Sequence, residues 1–106
     1  MNDWGKIEID GIAGIEKCVG EYRITELYKS PYAYFKIKIY EQKDSKFLGV
    51  SNILIKDNAG DYICAIGHGN TESEALHNTI QDFKIRTEYK QDFYEDDFQW
   101  SDPTEF

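Results

Sequence analysis

Between residues 32 and 40 the side chains alternate with a period of two. Phe35, Ile37 and Ile39 fall on one side, and Tyr34, Lys36, Lys38 and Tyr40 on the other. Successive side chains of a strand point to opposite faces, so this segment predicts a strand with one buried and one wet face. Lys6-Ile7-Glu8-Ile9-Asp10 shows the same alternation and predicts a first strand, ended by Gly11 and the turn-prone Ala13-Gly14. Residues 22–28 are rich in β-formers and stop at Lys29-Ser30-Pro31, where proline removes a ladder donor. Beyond the polar connection Gln42-Lys43-Asp44-Ser45-Lys46, residues 47–56 predict a further strand, with a bend or bulge near Gly49 that blurs its alternation. The turn Asp57-Asn58-Ala59-Gly60 leads to a short apolar strand over residues 61–66, followed by Gly67-His68-Gly69-Asn70.

The period then changes. Thr71-Glu72-Ser73-Glu74 fits a capping box, in which a hydroxyl and a carboxylate satisfy the orphan amides of a helix start. Ala75, Leu76, Ile80 and Phe83, with Thr79 between, recur at helical spacing and form an apolar stripe. Lys84, Arg86 and Lys90 suit the negative pole of that helix. The expected fold class is α+β: an antiparallel sheet of four to five strands with one C-terminal amphipathic helix packed on one face. A chain of 106 residues encloses one hydrophobic core, so residues 1–90 are expected to form a single domain and residues 91–106 a tail.

Charge separates these two parts. Residues 1–90 hold 14 acidic and 12 basic side chains, whereas residues 91–106 hold Asp92, Glu95, Asp96, Asp97, Asp102 and Glu105 and no Lys or Arg. The segment thus carries −6 of the chain's net −8. Such a field repels phosphate backbones, so direct nucleic-acid binding is disfavoured and a basic protein partner is favoured. No run approaches the roughly 20 apolar residues of a membrane span, and the first residues lack the cationic-then-apolar order of a signal peptide. A cytoplasmic protein without membrane association is expected. Cys18 and Cys64 have no C-x-x-C spacing and no neighbouring histidine, and are expected as ordinary thiols in or near the core.

Two local likenesses concern the run from Gly67 to Asn78. It resembles the strand-to-helix junction of double-stranded-RNA-binding domains, a Gly-x-Gly-x-Ser/Thr turn entering a helix. That family opens its helix with phosphate-gripping lysines, where this chain has Glu72, Ser73 and Glu74, so the likeness implies the fold and not RNA binding. Gly69, Thr71, Glu74, Ala75, Leu76 and Asn78 are similar to a run in HicB-type antitoxins, which implies a toxin-neutralising role. The likeness spans about a dozen of the 106 residues. A dinucleotide cradle would need a third glycine in a parallel βαβ unit, which the order of elements excludes.

Catalytic signatures are absent. His68 sits in the glycine run and His77 on the helix beside the apolar stripe, and neither has a partner motif. There is no nucleophile elbow, no paired-carboxylate motif and no H-E-x-x-H. No enzyme activity, cofactor or metal is expected. The face bearing Tyr34, Lys36, Lys38 and Tyr40 has the rings and cations that stack bases and hold phosphates. As a solvated sheet face, the same residues would only stabilise strand pairing, and that reading is favoured.

The C-terminal segment is the sharper candidate. Phe93, Tyr94, Phe98, Trp100 and Phe106 are interleaved with six carboxylates, whereas a solubilising tail needs no rings. The rings either fold back on the open face of the sheet or anchor in a partner whose Lys and Arg side chains meet the carboxylates. The expected partner-binding set is Asp92, Phe93, Tyr94, Glu95, Asp96, Asp97, Phe98, Trp100 and Asp102. Short, acidic and rich in Tyr, Phe and Asp, the chain is similar in composition to small phage-encoded anti-defence proteins such as anti-CRISPRs. That similarity implies a non-enzymatic inhibitor whose carboxylates imitate a phosphate backbone and occupy the basic groove of a nucleic-acid-handling protein. An immunity protein or antitoxin against a cognate toxin is the alternative, and a nucleic-acid-binding module using the sheet face is a third. A homodimer is compatible with all three.

Overall fold

A computed structural model describes residues 3–30, 32–88, 93–101 and 106. Strands β1 (Lys17–Thr25), β2 (Tyr34–Glu41), β3 (Phe47–Lys56) and β4 (Tyr62–Gly69) form an antiparallel meander in that order. Helix α1 (Glu72–Arg86) follows, and β5 (Phe98–Trp100) returns to pair with β3. The α+β class with one helix on an antiparallel sheet of five strands is therefore as expected. No helix among the described residues is long and apolar enough to cross a membrane.

The two-residue period of β2 sets the layers. Phe35, Ile37 and Ile39 are fully buried under α1, together with Ile53, Ile55 and Ala65 from β3 and β4. Ala75, Thr79 and Phe83 are the buried stripe of the helix, with Leu76 and Ile80 packed at its border. At the start of α1, the Thr71 hydroxyl accepts the Glu74 N–H at 3.0 Å. The Glu74 carboxylate accepts the N–H of Asn70, one residue further back than in a reciprocal box. The Tyr22 hydroxyl donates to Glu72, tying β1 to the same helix start. That carboxylate, with burial second, raises the Tyr22 phenol above its ordinary pKa.

Gly67 and Gly69 belong to β4 itself, not to a turn. Here the helix backbone meets the sheet: a Cβ on Gly67 would lie 2.6 Å from the carbonyl carbon of Asn78, and one on Gly69 would overlap Ala75. The glycine run is thus filled by the chain's own helix. Asn78 donates to the His68 carbonyl at 2.7 Å and Asp82 accepts the Ile66 N–H at 2.9 Å, so helix side chains occupy part of the β4 edge.

Several boundaries differ from those the pattern predicts. Residues 6–10 form no strand. A short 3-10 turn, Asp3–Lys6, takes in the first of them, and the N–H groups of Ile7 and Ile12 bond locally to the carbonyls of Trp4 and Ile9. The helix lies over β4 and β3 and reaches β2, so a strand beyond β1 would find no helix to bury its isoleucines. Strand β1 starts at Lys17 and stops at Thr25, because the next residue, Glu26, turns its carboxylate onto the N–H groups of Tyr28, Lys29 and Ser30. The irregularity in β3 falls between Val50 and Leu54, where three residues oppose one of β4. There the Ser51 hydroxyl accepts the Ala65 N–H and donates to the Ile53 carbonyl. The Gly49 position is instead a regular ladder pair. Cys18 is exposed, a correction to its expected place near the core, and Cys64 is half-buried.

Candidate partner-binding surface

The C-terminal segment splits into residues that build the protein and residues that face solvent. Phe98 is buried, opposite Ile55 on β3 and stacked on Phe83 at 6.5 Å, while Phe83 stacks on Phe35 at 4.6 Å. Phe93 packs on Phe98 at 5.4 Å. Phe93 and Phe98 lie on the helix side of the sheet, whereas the sequence left open a return to the open face or an anchor in a partner, and Phe106 sits over Lys38 on the open face. The core thus crosses the boundary expected after residue 90.

Between the two phenylalanines the chain makes one 3-10 turn, Glu95–Asp97. Asp97 is buried, and its carboxylate accepts the Tyr94 N–H at 2.8 Å while its own N–H donates to the Tyr94 carbonyl at 2.9 Å. The Tyr62 hydroxyl donates to the Asp96 carbonyl at 2.6 Å, which fastens the turn to β4. Pinned at both ends, the turn presents Glu95 and Asp96 to solvent beside Tyr94, which is 66% exposed.

Trp100 lies opposite Ile53 and stacks on Tyr32 at 4.8 Å with 40% of its surface exposed. Burial, and then the charge of Glu95, raises the Tyr32 phenol above its ordinary pKa. Asn52 joins the strands at this point. Its carbonyl accepts the Ser101 N–H and its side chain accepts the Lys36 N–H, each at 2.8 Å, so β2 and β5 share one edge of β3 end to end. Of the expected partner-binding residues, Tyr94, Glu95, Asp96 and Trp100 come together at this acidic corner. Phe93, Asp97 and Phe98 serve the scaffold, and Asp92 and Asp102 lie outside the described residues.

The second surface is occupied by the chain's own contacts. Arg23 covers the Tyr34 ring at 4.2 Å, and Lys36 and Lys38 lie 3.6 and 3.9 Å from the Glu21 carboxylate. Lys38 also donates to the Phe106 carbonyl and sits over that ring at 4.7 Å. Burial, ahead of the nearby Cys18, Glu16 and Glu21, raises the Tyr40 phenol. Cross-strand pairing of this kind is what a supporting sheet face does.

His68 and His77 are both exposed, and no group of three His, Cys, Asp or Glu residues able to hold a metal occurs among the described residues. Comparison with family models, curated proteins and solved structures finds no match to this chain.

Proposed function

We propose that this is a non-enzymatic binding protein that inhibits a basic, nucleic-acid-handling protein, with Glu95 and Asp96 as the charged contacts and Tyr94 and Trp100 as the aromatic ones. One observation carries the reading: Glu95 and Asp96 are exposed on a turn next to Tyr94, with the partly exposed Trp100 on the strand that follows, and the turn is held by a buried Asp97, a bond from Tyr62, the core ring of Phe98 and Phe93 packed against it. A charged group that serves solubility needs no fixed position. One that meets a lysine or arginine gains affinity from being held, because less side-chain and loop freedom is lost on binding. The phage anti-defence setting is part of the proposal and rests on composition.

Truncation after residue 90 would remove Phe98 from the core, so the test uses the whole chain. Affinity capture from the cells that encode the protein is compared for wild type and Glu95→Lys/Asp96→Lys, with heparin as competitor. A basic nucleic-acid-binding protein held by wild type, displaced by heparin and lost from the variant is the expected result. Equal capture by both proteins overturns the reading.

A further inference from the structure

Among the large apolar side chains of the described residues, Tyr28 and Leu27 are the most exposed, at 87% and 74%. They stand at the tip of the loop joining β1 to β2, and that loop is built to hold them out. The Glu26 carboxylate accepts the N–H of Tyr28 at 3.0 Å and those of Lys29 and Ser30 at 2.7 Å each. The Glu26 N–H donates to the Ala33 carbonyl at 2.9 Å and closes the loop at its base, with Ala33 at φ 67°. The Ser30 hydroxyl accepts the Tyr32 N–H at 3.2 Å. A left-handed alanine persists only where its surroundings hold it, and here the bond from the Glu26 N–H and the start of β2 at the next residue do so. Leucine and tyrosine on such a loop gain nothing for the fold.

The loop also abuts the acidic corner. Lys29 lies over the Phe93 ring at 5.5 Å, and Tyr32 stacks on Trp100. We propose that the Glu26-stapled loop and the acidic corner form one docking surface, and that its partner presents an apolar cleft bordered by lysine and arginine side chains. Leu27 and Tyr28 enter the cleft while Glu95 and Asp96 meet its cationic rim. Aromatic and aliphatic anchors beside a charged rim are the usual anatomy of a protein interface. Charge complementarity selects a cationic border, because the corner that the loop abuts through Lys29 and Tyr32 presents Glu95 and Asp96 to solvent. The inference rests on the reading that the acidic corner binds a basic protein, and adds the apolar half of that contact.

The test uses the full chain and two synthetic peptides of equal length and charge: an amphipathic Leu/Lys helix, and its counterpart with serine in place of every leucine. Dissociation constants are read by fluorescence anisotropy for wild type, Leu27→Ser/Tyr28→Ser and Glu95→Lys/Asp96→Lys. Wild type is expected to bind the leucine peptide about tenfold tighter than the serine one. The loop variant is expected to lose that preference and keep the weaker charge-driven binding, and the charge-reversed variant to lose both. Equal binding of the two peptides by wild type, or a preference that survives in the loop variant, overturns the inference and leaves the acidic reading standing. Failure of wild type to bind either peptide overturns both.

Discussion

The two ends of the described chain look alike in one respect and behave oppositely. Residues 6–10 carry the alternation of a strand and form none, whereas residues 93–101 carry the composition of an acidic tail and supply β5. Ile7, Ile9 and Ile12 stay exposed, while Phe98 is buried against Phe83. The isoleucines would lie beyond β1, away from the helix, whereas Phe98 meets the second half of β3, which β2 leaves unpaired after Ser51 and whose helix side is already roofed by α1. A period-two pattern expresses the ability to form a strand, and a covered edge decides whether it does. Alternation without a roof is left as coil.

The largest test of that contrast is Phe98→Ala. Removing a buried ring from the Phe35–Phe83–Phe98 stack is expected to cost about 3–5 kcal/mol in chemical denaturation. Asp97→Ala is expected to cost about 1 kcal/mol through the lost bond to the Tyr94 N–H, the magnitude of a helix cap. It should also loosen Glu95 and Asp96, and so weaken binding to a basic partner more than its stability cost implies. Ile9→Ser should fall within about 0.5 kcal/mol of wild type, since it takes an exposed side chain from a segment outside the ladder. An Ile9→Ser loss comparable to that of Phe98→Ala would break the comparison and show that residues 6–10 are structured by a second chain or another contact in solution.

Within the acidic corner, the residue types were legible and their division of labour was not. Carboxylates and rings between 93 and 100 pointed to a binding segment, but nothing in the run Glu95-Asp96-Asp97 separates the outward Glu95 and Asp96 from the inward Asp97, whose carboxylate caps the turn. Leu27 and Tyr28 were missed because the β-forming run from Tyr22 continues through them. The available signal was Glu26, a carboxylate placed to accept the next free N–H groups and so to end a strand.

From the sequence alone come the α+β class, the strand predicted over residues 32–40 and found at Tyr34–Glu41 with Phe35, Ile37 and Ile39 buried, and the helix capped at Thr71. Each depends on side-chain period and on hydrogen bonds between near neighbours, which are local properties. Tertiary structure decided the rest. It left Ile7 and Ile9 uncovered, carried Gly67 and Gly69 into the helix contact, and drew Phe98 into the core. Those outcomes depend on which surfaces the helix covers and which strand edges remain open, and both arise only once distant segments have packed together.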